Sequence, residues 1–169
     1  GNYALAVSTL GTSRGENAKR PDFIGNRNVI DAAKASGVKR IVFVTVIGTG
    51  NSYEAAPRPA RSFLKDVIAL KGQAEDHLRA SGVPYTIIRP GGLTDKPGGQ
   101  SGVRLEQGDK GTGFIPRADV ARTCVALATC RQFRYPIMLV LHVSLTGPVF
   151  IIVVLLGVAQ LIAALSLVT

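Results

Sequence analysis

The side chains able to do chemistry sit at the ends of three short apolar stretches. Thr45 follows Ile41-Val42-Phe43-Val44 and leads into Val46-Ile47-Gly48-Thr49-Gly50. Lys71 lies on a stripe with Leu64, Val67, Ile68, Ala74 and Leu78 at helical spacing. Arg89 closes Tyr85-Thr86-Ile87-Ile88 and is followed by Pro90-Gly91-Gly92. In open parallel sheets, ligands bind outside the carboxyl ends of the strands, so Thr45 to Gly50 is the expected functional rim. A lysine on an apolar stripe has two readings. Its stem covers apolar surface while the ammonium stays in water, or the ammonium points into a site at the sheet rim. Cys124 and Cys130 lack the paired spacing of a zinc site and the CxxC of a redox pair, and read as small buried hydrophobes. His77 and His142 have no partner at ligand spacing, so no metal site is expected.

The elements that must position these groups follow from periodicity. Ile41–Ile47 has the unbroken apolar character of a strand buried on both faces. The helix-like Asn28–Ser36 precedes it, with Asp22 or Asn26 expected as its cap and Gly37 as its stop. Tyr3–Thr9 reads as a strand that gives way to the small-residue loop Leu10–Gly15. A loop from Gly48 to Pro59 is long enough to cover a site. Arg61–Ser81 reads as one helix, stopped by Gly82. Tyr85–Arg89 is the next strand, and Asp95–Gly113 a loop with one strand around Val103–Glu106. Phe114–Asp119 leads into a helix from Val120 to Thr129. The order β-α-β-α-β-loop-α predicts an α/β fold with Tyr3–Thr9, Ile41–Ile47 and Tyr85–Arg89 side by side and parallel. No strand is followed by G-x-G-x-x-G, the loop that cradles a pyrophosphate at a helix N-terminus.

The 169 residues carry a formal charge of +9. The basic residues are scattered, with no block of Lys and Arg and no interleaved aromatics, so a nucleic-acid partner is not expected. Every charged residue lies at or before Arg134. The chain therefore divides into an α/β head, 1–134, and a hydrophobic tail, 135–169, expected to anchor it to a membrane. Val149 to Thr169 carries no charge and is long enough to span a bilayer as a transmembrane helix, which takes about 20 residues. Gln160, near its middle, is expected to face a protein partner. Arg131 and Arg134 at its mouth put the head on the cytoplasmic or stromal side. The partners implied are membrane lipid or integral membrane subunits. Gly1-Asn2-Tyr3 opens straight into a strand-like run, which reads as a processed or truncated start.

Two longer runs carry a resemblance. Gly25-Asn26-Arg27-Asn28-Val29-Ile30-Asp31-Ala32-Ala33-Lys34, continued by Gly37-Val38-Lys39-Arg40-Ile41-Val42-Phe43-Val44-Thr45, resembles the atypical short-chain dehydrogenase/reductase superfamily. So does Lys71-Gly72-Gln73-Ala74-Glu75-Asp76-His77-Leu78 with Ser81-Gly82-Val83-Pro84 and the strand to Leu93. Within the superfamily the match is to NmrA-like, NAD(P)-binding proteins of cyanobacteria and chloroplasts, and Pro116-Arg117-Ala118-Asp119-Val120-Ala121 fits the same pattern. The resemblance covers Tyr3 to Thr129. It implies a partial Rossmann-like parallel sheet entered at its fourth strand, the first three being missing. It implies that Ser8, Thr9, Leu10 and Gly11 pass along a bound NADP or NAD. Thr45 falls on the substrate-side Ser or Thr, and Lys71 on the lysine of the Tyr-x-x-x-Lys motif that holds the nicotinamide ribose; these two are the candidate catalytic residues. Arg89, Pro90, Gly91 and Gly92 would border the nicotinamide. Two departures stand out: Val67 occupies the tyrosine position and has no proton to give, and the phosphate loop is absent. An open sheet edge at Tyr3–Thr9 calls for a protein partner. The functional expectation is an NAD(P)-binding domain tethered to a membrane, with the chloroplast thylakoid as its location. The alternative is a non-catalytic accessory subunit of a photosynthetic or respiratory membrane complex.

Overall fold

The computed structural model describes residues 3–12, 21–100, 102–106, 111–129 and 137–143. In chain order these form β1 (Ala6–Ser8), α1 (Ile24–Ala35), β2 (Ile41–Val44), a 3-10 turn (Gly50–Ser52), α2 (Arg58–Phe63) and α3 (Lys65–Ser81). Then come β3 (Tyr85–Pro90), β4 (Gly92–Thr94), β5 (Gly102–Glu106), β6 (Phe114–Pro116), α4 (Arg117–Thr129) and β7 (Ile137–Val143).

The main sheet has the order β1-β2-β3-β7-β5. Ala6 pairs with Ile41, and Ile41 in turn with Tyr85, both in parallel register. Ile87 pairs with Ile137, also in parallel, while β5 runs antiparallel to β7. The three strands predicted to lie side by side and parallel do so. β2 and β3 are covered on both faces, while Val7 of the edge strand β1 is exposed. Ile41 and Phe43 of β2, with Ile87 of β3, point to one side and pack on Ile30 and Ala33 of α1 and on Ala74 and Leu78 of α3. Val42 and Ile88 point to the other side and meet Val120, Cys124 and Leu127 of α4. Cys124 is a free, buried thiol whose pKa is raised by that burial; Cys130 lies outside the described residues.

Local departures from expectation have physical causes. The single helix read from Arg61 to Ser81 is two. α2 starts earlier, with proline in its first turn, and Leu64 at φ −98°, ψ 12° breaks it from α3. α1 also starts earlier, at Ile24, and neither Asp22 nor Asn26 caps it; the preceding residue is Phe23, whose side chain makes no cap. Asn26 is fully buried and its amide is used elsewhere. β4 and β6 form a separate two-stranded parallel ribbon where only a lead-in to a helix was expected. Gly92 makes that ribbon possible, since a Cβ there would stand 2.5 Å from a Phe114 ring carbon.

The tail is corrected. Among the described residues no helix is long and apolar enough to cross a membrane. Ile137–Val143, the start of the expected anchoring tail, is a strand of the main sheet, paired on one side with β3 and on the other with β5. A run of seven residues, apolar but for His142, lies between two strands and meets its backbone hydrogen bonds in the sheet, which is the alternative to a helix that its hydropathy could not distinguish. Arg131, Arg134 and the segment from Val149 to Thr169 with Gln160 lie outside the described residues.

Candidate functional site

The inward face of α3 carries Lys71, Ala74, Glu75 and Leu78, all buried. Spacings of three and four put them on one stripe, so the packing of Ala74 and Leu78 against the sheet also delivers an ammonium and a carboxylate to its rim. Lys71 is only 4% exposed. Its Nζ donates to the carbonyl oxygen of Leu10, just past β1, and to that of Val44 at 3.4 Å, the last residue of β2. It also stands 5.3 Å from the centre of the Phe43 ring. The ammonium therefore points into the sheet rim and not into water. Burial lowers its pKa, against the opposing pull of Asp22 and Glu75.

The loop after β1 is held from below. Ser8 Oγ donates to Asn26 Oδ1 at 2.6 Å, and Asn26 Nδ2 donates to the carbonyls of Asp22 at 2.8 Å and Leu10 at 3.3 Å. Thr12 Oγ1 donates to Asp22 Oδ2. A Cβ on Gly11 would lie 3.5 Å from Asp22 Oδ1 and 3.9 Å from Lys71 Nζ, so the Gly11 backbone borders both groups. Ser8 is buried while Thr9, Leu10 and Gly11 are exposed, which leaves the loop backbone open along the rim.

One turn after Lys71, Glu75 collects a second set of groups. Its Oε1 accepts from Thr45 Oγ1 at 2.8 Å, Thr49 Oγ1 at 2.7 Å and Arg89 Nε at 3.0 Å. Its Oε2 accepts from Arg89 Nη2 at 2.6 Å and Arg79 Nη2 at 2.8 Å. Burial alone would raise the carboxyl pKa; the hydrogen bonds and charge of Arg89, with Thr49 and Thr45, outweigh it and hold the pKa below the ordinary value. Arg89 and Glu75 are each 1% exposed. A buried pair needs its remaining lone pairs and protons satisfied, and here they are: Arg89 Nη1 donates to Asn51 Oδ1 at 2.5 Å. Thr45 Oγ1 has its proton on Glu75, so toward a ligand it is an acceptor.

Of the residues singled out by sequence, the structure gathers Ser8, Leu10, Gly11 and Lys71 in one patch, with Thr9 exposed beside them. Thr45 and Arg89 meet on Glu75 in the next patch, and α3 joins the two. Pro90 continues the ladder, its carbonyl accepting from Ile47 N–H at 3.0 Å. Gly91 is buried, and Gly92 passes into β4, its N–H bonded to the Gly113 carbonyl at 2.9 Å. Val67, one turn before Lys71, is half-buried. Sequence reasoning missed Asp22, Asn26, Thr49, Asn51 and above all Glu75. The signal for Glu75 was present: a carboxylate four residues after a lysine, on an otherwise apolar stripe.

Comparison with known proteins gives a consistent picture. A family model described as NAD(P)H-binding matches residues 1–131. A chloroplastic protein of Arabidopsis thaliana is 43% identical over 119 residues, an alignment covering 68% of this chain and 35% of that one. Sanguinarine reductase of Eschscholzia californica is 40% identical over 115 residues, covering 66% of this chain and 41% of the enzyme. Among solved structures, the anaerobillin reductase ChuY of Escherichia coli O157:H7 matches with a TM-score of 0.74 and 29% identity, covering 86% of this chain and 67% of that one. The chain thus spans well under half the length of these two curated relatives.

Proposed function

The chain belongs to the NAD(P)H-binding family whose model spans residues 1–131, and on that premise we propose that it is the nicotinamide-side portion of an NAD(P)H-dependent reductase. The observation that carries this reading is Lys71, a buried ammonium held between the carboxyl ends of β1 and β2. Those strand ends are where parallel sheets take their ligands. Its bonds are to two backbone carbonyls, and a ribose hydroxyl can replace either without leaving the amine unpaired. The exposed backbone of Thr9, Leu10 and Gly11 and the buried turn at Pro90-Gly91 would flank the same ligand. When bound, the nicotinamide supplies a hydride.

The chain's own residues hold and orient. Lys71 positions the ribose, and Glu75 keeps the buried Thr45 and Arg89 in fixed places. No protein acid stands at Val67. Sanguinarine reductase among the relatives and the anaerobillin reductase among the solved structures support reduction as the reaction class, and the chloroplastic Arabidopsis relative supports the chloroplast as the place of action.

The test compares NADPH with reduced nicotinamide mononucleotide, each titrated into the 169-residue chain. The sequence holds no glycine-rich phosphate loop, so the two ligands should bind alike, because only the nicotinamide half is gripped. Lys71→Met should weaken both by about ten-fold or more, which corresponds to about 1.4 kcal/mol. Much tighter binding of NADPH, or an unchanged affinity in Lys71→Met, would overturn the reading. Val67 favours a second reading, an accessory subunit that binds the nucleotide without turnover. Stopped-flow loss of the NADPH absorbance in the presence of quinone or iminium acceptors separates the two.

A further inference from the structure

Beside the rim lies a groove that the cofactor reading does not use. It has a volume of about 480 Å³ and is lined by Tyr53, Glu54, Arg58, Arg61, Ser62 and Lys65. That is the size of a small-molecule site. Resting on the nicotinamide reading above, we propose that this groove receives the substrate, and that the substrate is a planar dicarboxylic acid.

The charge of the groove is the first argument. Arg61 is committed to its wall: Nη1 pairs with Glu54 at 2.9 Å and the guanidinium stacks 4.8 Å from the Tyr53 ring centre. Arg58 and Lys65 have no charge partner among the described residues and are exposed. One carboxylate against three cations leaves the groove with a net positive charge of two.

Spacing is the second. Arg58 and Arg61 lie three residues apart on α2, and Lys65 opens α3 beyond the break at Leu64. The two cations without a charge partner among the described residues therefore stand on different helices of one groove. Cations on separate helices suit two carboxylates at opposite ends of a planar molecule better than one compact phosphate. Arg61 covers one face of Tyr53, and the ring is still 50% exposed, leaving apolar surface for a flat ligand.

Placement is the third. Tyr53 directly follows the turn that the site fixes. Ser52 Oγ donates to the Thr49 carbonyl at 2.8 Å, Tyr53 N–H donates to the Gly50 carbonyl at 3.2 Å, and Asn51 is bound to Arg89. Lys65 lies six residues before Lys71 on α3, about 9 Å along the axis.

The experiment is an NMR titration of the ¹⁵N-labelled chain with naphthalene-2,6-dicarboxylate, its neutral diamide and inorganic phosphate. The dicarboxylate should shift the amide signals of Tyr53, Arg61 and Lys65 saturably. The diamide should bind at least about ten-fold more weakly, and so should the dicarboxylate to the Arg58→Gln/Lys65→Gln chain. Equal binding of the diamide, binding that survives the double substitution, or phosphate saturating the same signals as tightly would overturn the proposal. Reduced nicotinamide mononucleotide is then added to the dicarboxylate-bound chain. Simultaneous binding supports a substrate groove next to the cofactor. Displacement means that the groove holds the cofactor and sinks the proposal. Dicarboxylate binding with no nucleotide binding at any concentration supports the groove as an anion site and sinks the nicotinamide reading instead.

Discussion

At the scale of single residues, Glu75 decides the most. It is fully buried, takes five hydrogen bonds and is the only carboxylate facing Arg89 among the described residues. Glu75→Gln leaves the Arg89 guanidinium buried without its counter-charge. Removing one partner of a buried pair costs about 3–5 kcal/mol, and urea denaturation should show a loss of that size. Adding Arg89→Met should restore part of it, because the stranded charge is gone. The same residue sets the acid limit. Its pKa is depressed in the folded chain, so its contribution is complete above the ordinary glutamate pKa and disappears as pH falls through the folded value. Lys71 gives a slope of the same sign at the alkaline end. Its folded pKa is lowered, so the folded chain releases that proton before the unfolded chain does. Stability should therefore rise as pH climbs from the folded Lys71 pKa toward the ordinary lysine value. Thermal melts against pH should show both limbs; Glu75→Gln should flatten the acid one and Lys71→Met the alkaline one.

At the scale of elements, the turn after β2 is built around the Arg89 side chain. Gly50 has φ +50°, and a Cβ there would stand 2.8 Å from Arg89 Nη2. Gly50→Ala meets both a left-handed backbone and a fixed guanidinium, and the backbone part alone costs about 1–3 kcal/mol. Calorimetric melting should report that loss, and nicotinamide mononucleotide binding should weaken with it because Thr45 and Thr49 move too. By contrast Gly72→Ala, where nothing lies within 4 Å of the added Cβ, should be neutral or slightly stabilising in the same helix as Lys71. Much of this level was legible beforehand. β2 and β3 announce themselves by apolar runs closed with glycine or proline, though β2 ends at Val44 and not at the expected Ile47, and α1 and α3 by their stripes and by Gly37 and Gly82, both found at positive φ. The ribbon of β4 and β6 did not, because its signal is a missing side chain at Gly92 matched to a ring distant in sequence. Nor did the break at Leu64, which interrupts an unbroken helical stripe.

At the scale of the whole molecule, the α/β class and the parallel order followed from alternation alone, while the tail did not. Hydropathy measures how much apolar surface a segment carries, not what hides it, so Ile137–Val143 was read as the start of a membrane-anchoring tail and is instead a strand. The candidate site was legible by half. Single residues with conspicuous chemistry, Lys71 and Arg89, were found, whereas the carboxylate that organises them gained its meaning only when four segments met. That meeting has a consequence in time. Lys71, Glu75 and Arg79 recur every four residues along α3, and through the first two the helix is tied to the loop after β1, to the turn after β2 and to the end of β3. Helix and rim should therefore open as one cooperative unit. In hydrogen exchange, the amides of Ala74 and Leu78 and those of Thr45 and Ile47 should share a single opening free energy. Bound nucleotide should slow all four by the same factor, while separate rates would show that the ties transmit nothing. A ligand that touches only Lys71 would then be felt at Arg89, by way of a helix that opens or closes as a whole.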